Sequence, residues 1–456
     1  MKVLIVDMTH GGALIASEFM KLPEFEVFVY DIYSTMDKNT MNELKDSGLK
    51  FIGSLDDLTS HKNQTVESDI MVIAPVHCKL EYPVSMTHHE AVEFLLRDKI
   101  DIPIIEVTGV KGKTSVVWML KEIFKSYNPL ALSSLGVEVV EDGNWKVLKH
   151  DISITPASII EAWKLAENHE IGICIFETSL GGTGLADVGI LTNLAEDYSI
   201  AGGTMAASDA KLQIFKSTVV ACEIDSFNSK YSEFHEKTYT FNNGTSKLTK
   251  NQINLTASKV RFGFDKTHFK VNVVNVKTLT NDIITDIIEI STFAPAPMHI
   301  SNVLAAISAS LILGIPVEKI KKGLNNFKGV NGRTSIKEFN GMRVIEEINP
   351  GINVTAVKKA ISMMEDMDGV AVIFGGKYGV TCEEIDEESV SDVLNEIKDD
   401  KLLILVDELG ASVKNNIKVN FKYMDDLDAA MKLAEENNRL NVLIIYRSNF
   451  SDIKKR

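Results

Sequence analysis

The chain has 456 residues, 45% hydrophobic and 24% charged, with a formal net charge of −15. At roughly 150 residues per domain that length predicts about three domains, in the composition range of a globular enzyme. The negative charge disfavours non-specific binding to nucleic acid or anionic lipid, and no apolar run reaches the ~18–20 residues of a membrane span. Cys78, Cys174, Cys222 and Cys382 form no CxxC pair, which fits a reducing compartment and gives no metal-cluster signal. The N-terminal "MKVLIVDMTHGG" turns acidic at once, unlike a signal peptide, so a cytoplasmic protein is expected. A small anionic substrate would be held by local lysines and helix N-termini against the overall field.

The first ~100 residues predict a small α/β unit. "KVLIVD" is a buried strand, "MTHGG" a glycine turn, "ALIASEFMKL" a helix, and "FEVFVYDIY" and "DIMVIAPVH" further strands. Such alternation implies a parallel, doubly wound sheet with ligands at the strand C-terminal ends, where His10, Gly11 and Gly12 fall. A second unit starts at Ile102, with strands "IPIIEVTG", "IGICIFETS" and "DVGILTNL". Between 216 and 295 shorter β-rich segments predict a mostly antiparallel extension. The apolar helix "MHISNVLAAISASLILGI" follows, and after Gly329–Ser335 comes a third α/β unit with strands "MRVIEEIN", "GVAVIFGG", "KLLILVD" and "LNVLIIYRS". The predicted domains are 1–100, 101–330 and 331–456.

"IEVTGVKGKTSVVWML" is strand, glycine turn and helix in sequence. Gly109 and Gly112 let the backbone N–H groups of the loop, from Lys111 to Ser115, approach phosphate oxygens. Lys113 neutralises the β/γ-phosphates, Thr114 offers a hydroxyl to Mg²⁺, and the helix N-terminus adds its dipole. Glu177 stands at a strand end, where a carboxylate suits a second Mg²⁺; a surface glutamate is the plainer alternative. "DAKLQIF" predicts a helix with Lys211 on its first turn, against the dipole; a solvated lysine is the plainer alternative.

The order of the pieces is informative: Gly109-x-x-Gly112-Lys113-Thr114, Thr155-Pro156, Glu177-Thr178-Ser179, Thr192-Asn193-Leu194 with Glu196-Asp197, Ala210-Lys211-Leu212, His299-x-x-Asn302 with Ala305-Ala306, and Gly332-Arg333. This series resembles the Mur ligase family, whose members join amino acids to carboxylates using ATP. The resemblance covers the whole chain. It implies an α/β, three-domain architecture, with Rossmann-like N- and C-terminal domains flanking a central P-loop ATPase domain; the short phosphate loop is that family's form. It further implies ATP and Mg²⁺ as cofactors, with the loop and Thr114 on the phosphates and first ion. Glu177 would take the second ion, Lys211 would be carbamylated as an extra ligand, Asn302 would contact adenine, and Arg333 would reach the phosphates on closure. Lys113 and Lys211 are the catalytic candidates.

Departures from the family pattern bear on the substrate. Tyr198 stands where the family commonly has histidine, Pro297 and Ile300 replace a glycine and an asparagine, and the C-terminal motif is altered to Glu346–Val354, in which Glu346 or Glu347 would contact ribose. The N-terminal loop lacks the uridine-nucleotide pattern. "VDMTHGG", "APVHC", "THHEA" and "GGKYGVTCEEID" resemble the methanogen branch of this family that makes the nickel tetrapyrrole coenzyme F-430. That resemblance implies a tetrapyrrole acid substrate closed into a carbocycle by its own carbon. His10, His77, His88 and His89 would serve carboxylates or a proton transfer, with His88 and His89 read as surface or loop residues. The rival readings are a pseudomurein peptide ligase and a nucleotide-dependent binding protein. A monomer or homodimer without membrane insertion is expected.

Overall fold

The structure is a computed structural model, and it describes residues 1–54, 58, 70–195, 197–245, 253–365, 367–378 and 385–448. Glu196 and residues 379–384, which are half of "GGKYGVTCEEID" and include Cys382, lie outside the described residues. The chain forms two compact units. The first comprises Met1–Ala257, Val271–Ile288 and Ser301–Gly323, and the second Ser258–Lys270, Glu289–Ile300 and Leu324–Arg456.

The first unit contains two large sheets and a two-stranded ribbon, Ser199–Ile200 with Met205–Ala206. The N-terminal one has five strands in the order Lys50–Phe51, Glu26–Tyr30, Lys2–Val6, Ile70–Ala74, Met86–Thr87, every neighbouring pair parallel. The chain therefore winds outward in both directions from the boundary between Lys2–Val6 and Ile70–Ala74, and in such a sheet ligands bind beyond the C-terminal ends of that pair. Helix Ala13–Phe19 buries Ile15, Ala16 and Phe19, and helix His88–Leu96 buries Ala91, Val92, Leu95 and Leu96, both in one core with Val3 and Ile5.

In the central sheet, Ile104–Thr108 lies between Ile173–Glu177 and Val188–Leu191, parallel to both. All five of its residues are buried, as expected of an inner strand covered on both faces. Pro129–Ser133 continues the sheet beyond Ile173–Glu177, parallel to it. It then turns back through Gly136–Glu141 and Asn144–His150 in antiparallel pairing. Beyond Val188–Leu191 the strands Val219–Glu223, Thr238–Asn242 and the start of Leu255–Arg261 all pair in parallel. The expectation of a mostly antiparallel extension after 216 fails over this stretch. Short helical turns between Ile224 and Lys237 supply the crossover that a parallel pair requires, and their polar sequence concealed them.

The second unit carries a six-stranded sheet ordered Thr334–Phe339, Met342–Ile348, Asn441–Arg447, Val370–Gly376, Leu402–Val406, Phe421–Met424. The first pair is an antiparallel hairpin. Its turn is Asn340-Gly341, with φ of 49° and 79°, the combination that a two-residue turn matched to strand twist demands. The remaining pairs are parallel. All four strands expected here from the sequence are present.

Candidate active site

The phosphate loop is held from behind. Gly109 has φ 140°, and a Cβ there would stand 2.0 Å from Thr192 Oγ1. Thr192 Oγ1 donates to Lys111 O at 2.6 Å, Asn193 Nδ2 donates to the same oxygen at 3.0 Å, and Lys111 N donates to Asn193 Oδ1 at 3.3 Å. The Thr192-Asn193 pair thus holds the Lys111 peptide groups from behind. Gly112 is left-handed at φ 88° and precedes helix Lys113–Phe124. A Cβ there would stand 2.2 Å from Asn302 Oδ1, so Asn302, buried on helix Pro297–Ile312, lies directly on the loop. The helix buries Val116, Val117, Leu120, Ile123 and Phe124, one apolar stripe at helical spacing. Its first turn, with Lys113 and the half-buried Ser115, remains at the loop. Lys113 Nζ donates to Gly109 O at 3.1 Å.

Three oxygen-bearing groups converge beside this turn. Thr114 Oγ1 donates to Glu177 Oε1 at 3.0 Å and lies 3.3 Å from Ser134 Oγ, while Ser134 N donates to Glu177 Oε2 at 3.1 Å. Thr114 and Glu177 are both buried, so the plain surface-glutamate alternative fails. Hydroxyl and carboxylate oxygens are the donors a hard divalent cation takes, and a backbone cradle that a Cβ would fill is what a phosphate takes. The residues therefore fit Mg²⁺ and a nucleotide. One strand position earlier, Glu106 is fully buried and accepts from Thr183 N at 2.8 Å and from Thr183 Oγ1. Burial pushes its carboxyl up to about 7, against those hydrogen bonds. The sequence reading missed Glu106, Thr183 and Ser134; a glutamate inside an apolar strand was the available signal for the first.

Lys211 is placed differently from expectation. Its helix is Ala207–Lys211, begun two residues earlier than read, with Asp209 Oδ2 accepting from Ala206 N at 3.2 Å. Lys211 therefore sits at a helix C-terminal end, where its charge suits the dipole. It is buried, at 1% exposure, so a solvated lysine is excluded. Burial pulls its pKa down to about 8, with the Lys113 ammonium acting the same way and Asp197 opposing. Its Nζ lies 5.4 Å from the centroid of the Tyr198 ring, and Tyr198 is itself half exposed. The loop, Asn302, Thr114, Glu177 and Lys211 all belong to the first unit.

Arg333 belongs to the second unit, exposed in the turn before strand Thr334–Phe339. Glu347 accepts from Thr334 Oγ1 at 2.5 Å and from Asn349 Nδ2 at 3.1 Å. Burial pushes its carboxyl up, with Arg333 opposing. Strand alternation turns Glu346 to the other face, where it pairs with Lys337 at 2.6 Å. Arg447, which the sequence reading also missed, is buried at the end of its strand and donates from Nε to Pro350 O at 3.1 Å.

At the C-terminal ends of the N-terminal sheet's central strands, Asp7 follows strand Lys2–Val6 and His77 follows Ile70–Ala74. Asp7 Oδ2 accepts from His10 Nδ1 at 2.5 Å and lies 3.9 Å from His77 Nε2. The expectation that His88 and His89 lie at the surface is wrong, since both are buried. Thr87 and Glu90 form a capping box that starts helix His88–Leu96 and turns both rings inward. His88 Nε2 donates to Val6 O at 2.9 Å. His89 Nε2 donates to Ser179 O at 3.1 Å. Burial pulls both imidazoles down to about 4.

Comparison with solved structures places this architecture among the Mur-type ligases. A UDP-N-acetylmuramoyl-L-alanyl-D-glutamate–2,6-diaminopimelate ligase superposes with a TM-score of 0.62 at 14% identity, covering 93% of this chain and 86% of that one. MurC from Thermotoga maritima gives 0.51 at 15% identity, covering 100% and 98%. The fold is the three-domain α/β Mur ligase fold. In sequence the chain is similar to two coenzyme F(430) synthetases. The coenzyme F(430) synthetase of Methanosarcina acetivorans is 28% identical, covering 95% of this chain and 96% of its own length. That of Methanocaldococcus jannaschii is 29% identical over 91% and 92%. The family described as coenzyme F430 synthetase CfbE, C-terminal domain, matches residues 336–449. The chain thus has the Mur ligase fold, and its sequence similarity over most of its length is to coenzyme F(430) synthetases. Among the described residues no helix is long and apolar enough to cross a membrane.

Proposed function

We propose that the protein is an ATP-dependent, ADP-forming ligase that activates a propionate carboxylate of a nickel seco-tetrapyrrole acid as an acyl phosphate, which a carbon of the same macrocycle then attacks to close a carbocyclic ring. The observation that carries the activation step is the convergence of the glycine loop, Lys113, Thr114, Glu177 and Lys211 on one helix N-terminus. The substrate rests on the full-length similarity to coenzyme F(430) synthetases.

The roles follow from position. The N–H groups from Gly112 to Ser115 and the Lys113 ammonium take the nucleotide phosphates, and Asn302 borders the loop where a base or ribose would lie. Thr114, Glu177 and a carbamylated Lys211 hold Mg²⁺, which supplies charge neutralisation for the transferring phosphoryl group. An amine whose pKa falls to about 8 is in part neutral near neutral pH, the form that adds CO₂. The domain division proposed is 1–100, 101–330 and 331–456. Phosphoryl transfer depends mainly on positioning and charge. Water must be kept from the acyl phosphate, and an internal nucleophile consumes it without diffusion. The substrate is a small polyanion, and the enzyme acts in the cytoplasm.

The test is ADP release by the full chain with Mg²⁺ and ATP. The nickel seco-acid should stimulate it with no amino acid present, and Lys113→Ala should abolish that stimulation. Stimulation only by a UDP-linked peptide plus an amino acid would make the protein a peptide ligase.

A further inference from the structure

Resting on the ring-closing reading above, we propose that His10 is the base that takes the proton from the attacking carbon, with Asp7 as its positioning residue. An incoming amine would bring its own lone pair. A carbon nucleophile has to shed a C–H proton, so the reaction needs an acceptor that the phosphate loop does not provide.

The N-terminal sheet places one at the C-terminal ends of its central strands. Lys2–Val6 and Ile70–Ala74 are the neighbouring strands from which the chain winds in opposite directions, and ligands bind beyond the C-terminal ends of such a pair. Asp7 leaves the first strand fully buried, with φ 68°, a strained value for a residue with a Cβ. That conformation lets its Oδ1 accept from Thr9 N at 3.0 Å and His10 N at 3.3 Å, while Oδ2 takes His10 Nδ1 at 2.5 Å. A carboxylate on Nδ1–H fixes the tautomer, leaves the Nε2 lone pair to accept, and stabilises the imidazolium that forms. The His10 side chain is 49% exposed. His77 stands edge-on to it at 5.3 Å between centroids. Gly11 packs against the start of helix Ala157–Leu165, where a Cβ would meet Ala157 Cβ at 2.5 Å and Thr155 Oγ1 at 3.3 Å. The turn is therefore braced against the Thr155-Pro156 segment and not free to wander.

Asp7, His10 and His77 also group as potential metal ligands, but one distance argues against a shared ion. Two ligands at ~2.0–2.1 Å from a tetrahedral cation stand roughly 3.3 Å apart, whereas His10 Nδ1 and Asp7 Oδ2 are 2.5 Å apart, a direct hydrogen bond.

In the step assigned, the C–H bond breaks and its proton goes to His10 Nε2. The released electron pair forms the C–C bond to the acyl carbon, and the acyl C–O bond to phosphate breaks as phosphate leaves.

Hydroxylamine trapping separates the two half-reactions. The full chain is incubated with the nickel seco-acid, Mg²⁺ and ATP, and ADP, hydroxamate and cyclised product are measured. His10→Ala is expected to lower ring closure by about 10²–10⁴-fold, while hydroxamate forms in step with ADP and added imidazole restores part of the closure. Asp7→Asn is expected to slow closure with His10 in place. Closure by His10→Ala within about threefold of wild type overturns the proposal, as does loss of hydroxamate together with product. Stoichiometric binding of Zn²⁺ or Ni²⁺ that His10→Ala and His77→Ala each abolish overturns it in favour of a metal site. If the wild-type protein yields no hydroxamate from the seco-acid, the substrate reading fails and this proposal with it.

Discussion

Replacing Gly112 with alanine perturbs the loop in two separable ways. Gly112 has φ 88°, and an L-residue held in the left-handed region costs roughly 1–2 kcal/mol. The new Cβ would also stand 2.2 Å from Asn302 Oδ1, 3.0 Å from its Cγ and 3.1 Å from its Nδ2, so the buried carboxamide has to leave its place. Overpacking of this kind costs about 1–3 kcal/mol. The sum, about 2–5 kcal/mol, lowers the apparent unfolding temperature on the order of 10 °C at 2–4 °C per kcal/mol. ATP affinity should fall as well, because the loop N–H groups move with Gly112. Asn302→Ala removes the side-chain atoms that the methyl would meet and leaves the backbone penalty. Thermal scans and nucleotide titrations of the wild type, both single variants and the double variant form a complete cycle. The expected coupling is about 1–3 kcal/mol, with the alanine at 112 less damaging in the Asn302→Ala background. Additive effects would show that Asn302 does not lie on the loop.

Glu177→Gln keeps the shape of the side chain but weakens the oxygen cluster around Thr114, so activity should need more Mg²⁺ with little change in ATP affinity; an unchanged Mg²⁺ titration would contradict the role. Lys211→Ala should be inactive and partly rescued by short carboxylic acids that fill the vacated anionic position, and full activity without rescue would remove Lys211 from the metal site. The burial of His88 and His89 predicts a pH window. Burial holds their folded pKa values at about 4, below the ordinary histidine value of 6.5, so the folded state prefers the neutral rings. Stability is then complete above pH ~6.5 and lost as pH falls towards ~4, by about 3 kcal/mol per histidine on the order-of-magnitude conversion. Urea midpoints across that range should fall less steeply for His89→Gln than for the wild type, and equal slopes would refute the assignment.

How much of this was legible follows from range. The strand, loop and helix from Ile104 to Phe124 were readable because glycine spacing and apolar periodicity are local signals. The clamp by Thr192 and Asn193 appeared only as a motif, since its partner is the Lys111 carbonyl 81 and 82 residues away. Glu106 with Thr183 left no joint trace, because a hydrogen bond between positions 77 residues apart has no period. Two misreadings were avoidable. The Thr87 and Glu90 capping box marks where the helix starts and hence which way His88 and His89 face. The acidic Asp209 is the N3 residue of its helix, which puts Lys211 at the far end. Asp7 was hidden for another reason: its importance lies in a backbone angle of 68° that nothing in "IVDMTHGG" requires of an aspartate.

The central claim is that the nucleophile is internal to the substrate, and the mass of the product tests it most directly. One incubation of the protein with the nickel seco-acid, ATP and Mg²⁺, with an amino acid mixture present, is analysed by mass spectrometry. The account predicts a product lighter than the substrate by one water, formed in equal amount to ADP and unaffected by omitting the amino acids. A product heavier by an amino acid less one water, or one that appears only with a UDP-linked peptide, would contradict it.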